Sequence, residues 1–216
     1  MTAARKVAAE GLGTAFLLAA VVGSGVMAER LSGGNMAVAL LANALVTGAA
    51  LTALILLFGP VSGAHFNPVA TLASAGWGGM PWREVPGYLL AQFSGALIGV
   101  AAANRMFDLP LFFASRHARE GASQLFSEGI ATFGLVGVIR GVSRSRPSAV
   151  PFAVAAWISA GIWFTASTSF ANPAVTVARA FSDTFTGIRP QDVLGFVLAQ
   201  CVGAYAAVRV FRWLMP

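Results

Sequence analysis

Charge is scarce in this sequence. Asp, Glu, Lys and Arg make up 10% of its 216 residues, where a soluble domain carries about a quarter. With 57% apolar residues and a mean hydropathy of +0.75, the chain cannot cover its surface with charge, so its solvent must be lipid. The net charge of +6 comes from basic residues lying mostly between apolar runs, with no basic groove interleaved with aromatics. That pattern is membrane-flanking charge, and it excludes a nucleic-acid partner. Cysteine is nearly absent too. The single Cys201, inside an apolar run, excludes an intrachain disulfide and a cysteine metal site. The two histidines, His65 and His117, are too far apart in sequence to announce a metal centre. No nucleophile–base pair is visible either. The expectation is therefore no metal, no cofactor and no enzyme. Arg5 and Lys6 precede an apolar run too long for the core of a cleaved signal peptide, so this run reads as a retained first span.

What is present in quantity is apolar length. A spanning helix needs about 20 predominantly apolar residues. Six segments meet this, at roughly 7–28, 36–58, 85–106, 122–142, 149–168 and 190–214. Arg140 near the end of the fourth can snorkel to the interface. Six spans put both termini on one side. If that side is inside, the inner segments hold eight basic residues and the outer ones six, with Arg140, Arg144 and Arg146 concentrated around one short inner loop. The positive-inside bias then predicts cytoplasmic termini, and the short termini and basic loops fit a bacterial inner membrane.

The chain also repeats itself. "EGLGTAF" at 10–16 is similar to "EGIATFG" at 128–134, and "LLAQFSGALIGV" at 89–100 to "VLAQCVGAYAAV" at 197–208. "FNPVATLA" at 66–73 pairs with "ANPAVTVA" at 171–178. The offsets are 118, 108 and 105 residues, in the same order, so one three-span unit occurs twice, over roughly 1–110 and 120–216 of a single transmembrane domain. An odd number of spans forces the two units into opposite orientations. Inverted repeats of this kind recur in transport proteins, with the site at the repeat interface. Each half also carries a short interrupted apolar segment, 59–80 broken by Gly59, Pro60, Gly63 and Pro68, and 169–188 broken by Pro173 and Gly187.

Asn is a preferred helix N-cap and Pro a preferred first helical residue. Asn67-Pro68 and Asn172-Pro173 therefore each start a helix, over about 69–76 and 174–182, too short to span. Because the halves are inverted, the two N-termini should meet near the bilayer centre. Their partial positive ends disfavour a cation there. The residues before each Asn (Gly63, Ala64, His65 and Phe66; Thr168, Phe170 and Ala171) must be irregular backbone, tolerated at this depth only where it lines a cavity or is buried in protein. Their carbonyls would form a ladder of acceptors in a narrow amphipathic pore for neutral solutes.

With these motifs the chain resembles the aquaporin family, the major intrinsic proteins. The resemblance rests on "SGAHFNPVATLA" at 62–73, "ANPAVTVA" at 171–178, Glu10 and Glu128 in spans one and four, and "AQ" at 91–92 and 199–200 in spans three and six. It implies an all-α right-handed bundle of six transmembrane helices with two re-entrant half-helices, lipid-embedded and usually a homotetramer with one pore per subunit. Asn67, Pro68 and Val69 stand for the first pore motif and Asn172, Pro173 and Ala174 for the second; Val69 departs from the usual alanine. Glu10 and Glu128 are the only glutamates placed inside spans. An intramembrane acid can mean proton coupling, whereas the family implies that both brace the re-entrant loops. For His65 the family implies a backbone acceptor on the cytoplasmic-side pore wall, and Thr71 and Thr176 pack on the half-helices.

The resemblance also implies a constriction of four residues on the outer side of the paired asparagines. Twenty residues before Asn67 is Thr47; twelve before Asn172 is Ala160, with Gly161 as the fallback; three before Asn172 is Ser169; and the position after the second motif is Val175. That last position is normally arginine. All four side chains are small and uncharged, with Arg179 a possible substitute one turn on. This ring is similar to that of aquaglyceroporins associated with bacterial arsenic resistance, in which the arginine is also valine. It implies a passive channel for glycerol-like polyols and for arsenite or methylated arsenicals, with water also passing. An ordinary water-selective aquaporin and a proton-coupled secondary transporter stand as alternatives.

Overall fold

The structure, a computed structural model, describes residues 1–215 and is all-helical over them. Six long helices match the six expected spans: α1 (Ala3–Leu31), α2 (Met36–Ser62), α4 (Val85–Met106, entered through a single 3₁₀ turn), α5 (Ala122–Ser145), α6 (Val150–Phe164) and α8 (Pro190–Leu214). Between them lie two short helices, α3 (Pro68–Gly76) and α7 (Pro173–Arg179). The chain is a multi-pass membrane protein. Following the helices in order puts both termini on one side, called here the terminal face. The connections 107–121 and 180–189 lie on the far face.

The spans differ from the expectation chiefly at their ends. α2 runs through Gly59 and Pro60 to Ser62 and stops at Gly63, which has the left-handed φ of 90° that glycine adopts freely. Pro60 therefore does not break the helix, and the break falls at Gly63. α6 ends four residues early at Phe164, where Thr165 turns extended. α7 stops at Arg179, three residues short of the expected end.

Small residues decide how the long helices meet. In lipid there is no hydrophobic force between helices, so close backbone approach carries the packing. α1 lies against α4 and α5 against α8, and the two contacts are copies of each other. A Cβ placed on Gly95 would fall inside the carbonyl of Gly11, and one on Gly203 inside the carbonyl of Gly129. Neither neighbour is a side chain that can swing away. Gly95→Ala and Gly203→Ala are each expected to cost at least the 1–3 kcal/mol typical of overpacking. Thermal melts of the detergent-solubilised protein measure this, and an unchanged melting temperature would contradict the backbone contact.

Candidate functional site

The site starts at two buried carboxylates. Glu10 on α1 and Glu128 on α5 have no exposed surface. Glu10 accepts hydrogen bonds from the backbone amides of His65 (2.9 Å) and Phe66 (2.7 Å), from Ser62 Oγ (2.7 Å) and from Gln92 Nε2 (2.8 Å). Glu128 accepts from the amides of Phe170 (2.8 Å) and Ala171 (2.9 Å) and from Gln200 Nε2 (2.6 Å). Both glutamines of the repeated "AQ" pairs also donate to a half-helix threonine, Gln92 to Thr71 Oγ1 at 2.9 Å and Gln200 to Thr176 Oγ1 at 2.8 Å. Each acid thus fixes one re-entrant loop to its own half of the bundle.

What they hold is strained backbone. Ala64 (φ 51°), Phe66 (48°), Thr168 (61°), Ser169 (50°) and Ala171 (48°) all adopt the left-handed conformation that costs a non-glycine residue roughly 1–2 kcal/mol. Ala64 and Phe66 correspond in the repeat to Ser169 and Ala171, so the strain itself is duplicated. Such outliers persist only where the surroundings over-determine them, and the carboxylate–amide bonds at Phe66 and Ala171 do so.

The half-helices then meet head to head. Asn67 Oδ1 caps α3 by accepting from Val69 N at 3.0 Å, while its Nδ2 donates across the repeat to the Ala171 carbonyl at 2.8 Å. Asn172 Oδ1 caps α7 through Ala174 N (3.0 Å) and Val175 N (3.3 Å), and its Nδ2 donates to the Phe66 carbonyl at 2.8 Å. Each amide nitrogen keeps a second hydrogen, and both asparagines line a cavity of about 410 Å³ that runs between the two loops.

One wall of that cavity is apolar and periodic. Leu51 and Ile55 on α2, Leu135 and Ile139 on α5, and Val154, Ile158 and Ile162 on α6 recur every four residues along their helices. The facing wall is the loop segment Gly63–Phe66 and Thr168–Phe170. Of the expected wall residues, Gly63, Ala64, His65, Phe66, Thr168 and Phe170 line the cavity. Ala171 does not; it is fully buried, and its carbonyl is taken by Asn67. Pro68, Val69, Pro173 and Ala174 also stand back from the cavity. Val69 packs against Val136, Ala204 and Ala207, so the departure from alanine is absorbed in the α3–α8 contact.

Three of the four expected constriction residues, Thr47, Ser169 and Val175, line the cavity. Ala160 does not. It is on the exposed face of α6, and Ser159 beside it donates to the Ala44 carbonyl at 3.1 Å and fixes the rotation of the helix against α2. The wall residues of α6 are Val154, Ile158 and Ile162. Two residues turn a helix by about 200°, so Ala160, two residues from both Ile158 and Ile162, faces away from the cavity. The fallback Gly161 is buried against Ser169, whose hydroxyl a Cβ there would meet at 2.6 Å. Among the described residues the buried hydroxyls of Thr47 and Ser169 have no protein partner.

Sequence reading did not anticipate the arrangement on the far-face side. Arg179 and Arg119 are 6% and 7% exposed, and both lie over the Phe170 ring, their guanidinium carbons 3.4 and 4.8 Å from its centroid. Arg119 donates to the carbonyls of Gly187 (2.7 Å) and Ser167 (3.1 Å) and to Thr168 Oγ1 (3.3 Å). Burial pushes its guanidinium down to about 10, which leaves it charged at neutral pH. Arg179 Nε donates to the Thr186 carbonyl. Arg119 comes from the long 107–121 connection, where no periodicity or motif marks it.

Known proteins similar to this chain fall in one group. The sequence profile of the family described as "Major intrinsic protein" (MIP) matches residues 1–150. "Aquaglyceroporin AqpS" of Rhizobium meliloti (strain 1021) is 50% identical over 211 residues, covering 98% of this chain and 90% of that protein. "Aquaporin NIP1-3" of Oryza sativa subsp. japonica is 35% identical over 211 residues, covering 94% of this chain and 72% of that protein. The crystal structure of the aquaglyceroporin from Plasmodium falciparum superposes with a TM-score of 0.70 at 19% identity, over 97% of this chain and 96% of the other.

Proposed function

This chain belongs to the major intrinsic protein family, and from that premise we propose that it passes glycerol-like polyols and neutral metalloid hydroxides, arsenous acid or methylated arsenicals among them, down their gradients, with water also passing. At the coarser level it is an aquaglyceroporin-type membrane channel for small neutral solutes, not an enzyme. The observation that supports the finer reading is the set of cavity-lining residues Thr47, Ser169 and Val175, which brings no aromatic side chain and no charge. A solute with several hydroxyls loses its water shell on passing them and needs replacement partners, which the loop carbonyls and the second amide hydrogens of Asn67 and Asn172 offer. The carbon face of glycerol meets Ile158 and Val175 instead. Arsenous acid, a small neutral trihydroxide, presents the same pattern of hydroxyls.

A water-selective pore needs a tight polar ring, which Thr47, Ser169 and Val175 do not make. Proton coupling needs a carboxylate free to exchange its proton, and both Glu10 and Glu128 spend their oxygens on loop amides. We further infer a bacterial inner membrane with the terminal face cytoplasmic, on the basic residues of that face and the bacterial relative, and a homotetramer on the family resemblance alone. Stopped-flow light scattering of proteoliposomes tests the reading. Glycerol and arsenous acid are expected to re-swell the vesicles well above the rate of protein-free liposomes. Movement of water alone would overturn it.

A further inference from the structure

Asn172, Val175 and Arg179 stand at i, i+3 and i+7 on α7, and all three line the cavity. The arginine that the ring lacks at Val175 is therefore present one helical turn nearer the far face, about 6 Å along the same stripe. Its position is fixed rather than floppy. Nε is bonded to the Thr186 carbonyl, and the guanidinium lies flat enough on Phe170 to bring its carbon within 3.4 Å of the ring centre. Among the described residues its two terminal nitrogens have no protein acceptor, and no carboxylate lies within ion-pair distance of either Arg179 or Arg119. The buried acid on this side, Glu128, is committed to the Phe170 and Ala171 amides.

We propose that Arg179 is the charge-selecting residue of this channel, displaced one turn outward from the size-selecting ring, and that Arg119 positions it through the shared Phe170 ring and the Ser167–Thr168 backbone. The proposal rests on the channel reading above and adds to it a division of labour. An arginine inside the ring excludes cations and narrows the ring in one stroke. With Val175 in the ring and Arg179 beyond it, the lumen stays wide enough for a triol while every solute still passes a fixed, water-poor positive charge. A cation meets that charge at short range in a low-dielectric surround, where repulsion is far stronger than in bulk water. A neutral solute meets only spare N–H donors, two on each terminal nitrogen.

The test is ion leak and glycerol flux measured side by side on the full chain in proteoliposomes, with a trapped pH dye under a valinomycin-set potential, a sodium dye, and light scattering. The variants are Arg179→Met, Arg179→Gln and Arg179→Lys. Glutamine keeps a donor for the Thr186 carbonyl and gives the neutral comparison if methionine does not reach the membrane. We expect the neutral variants to raise proton and sodium leak at least about tenfold while glycerol flux stays within about twofold, and lysine to remain closed to ions. Flat ion leak in the neutral variants, with glycerol flux retained, overturns the proposal and leaves the channel reading standing. Leak in Arg179→Lys equal to that in Arg179→Gln overturns it as well, because charge would not be the operative property. Absence of glycerol flux in the unmodified protein overturns the channel reading instead, whatever the ion leak.

Discussion

Val175→Arg is expected to close this channel to glycerol while water continues to pass. The side chain at 175 lines the cavity together with Ile158 and Ser169. An arginine there reaches across the lumen and occupies the volume that a carbon backbone needs. It also lies one turn from Arg179, so the new guanidinium is driven away from that charge toward the remaining acceptors, the loop carbonyls. Those are the groups a polyol would use. A solute hydroxyl that crosses without a partner costs about 2 kcal/mol, and every 1.4 kcal/mol is about tenfold in rate. One lost partner thus predicts a fall in glycerol permeability of about 30-fold, with steric closure adding to it. A water molecule is small enough to satisfy its bonds in file and should lose far less. Equal loss of water and glycerol would mean that the arginine had damaged the α7 loop rather than narrowed the ring.

The same ring shows where sequence reading succeeds and where it fails. Asn67 and Asn172 were legible because capping chemistry is local: Asn-Pro before an apolar run fixes a helix start whatever surrounds it. The inverted halves were legible because the duplicated motifs keep their order and spacing. Ala160 failed because a position on a helix face is known only modulo the length of the loop that follows. Ala160 lies two residues, about 200° of helix turn, from both wall residues Ile158 and Ile162. Pro60 misled for a different reason, since a proline in the last turn of a long helix removes a single bond without ending it. Arg119 was invisible because its role arises from two loops, 107–121 and 165–172, that are distant in the chain and meet at Ser167, Thr168 and Phe170.

Glu10→Gln and Glu128→Gln are expected to destabilise the protein without abolishing a proton-driven activity, because bracing is what these acids do. In each, one carboxylate oxygen takes one backbone amide and the other oxygen takes the next: His65 and Phe66 for Glu10, Phe170 and Ala171 for Glu128. A glutamine of either orientation places an NH₂ against one of these amides, leaving a buried donor facing a donor. An orphaned buried donor costs about 1–3 kcal/mol, and a bond to a charged acceptor is worth about 1.5–3 kcal/mol. Each variant should therefore lose about 3 kcal/mol in chemical or thermal denaturation of the solubilised protein. The pair should not add. The loops braced by the two acids are tied to each other by Asn67 to Ala171 and Asn172 to Phe66, both at 2.8 Å, and residues in one network couple. Releasing the first loop already loosens the acceptor that the second depends on, so the double variant should fall short of the summed losses. Full additivity would show the two halves to be independent. Unchanged stability together with an altered pH dependence of flux would restore the proton-coupled reading.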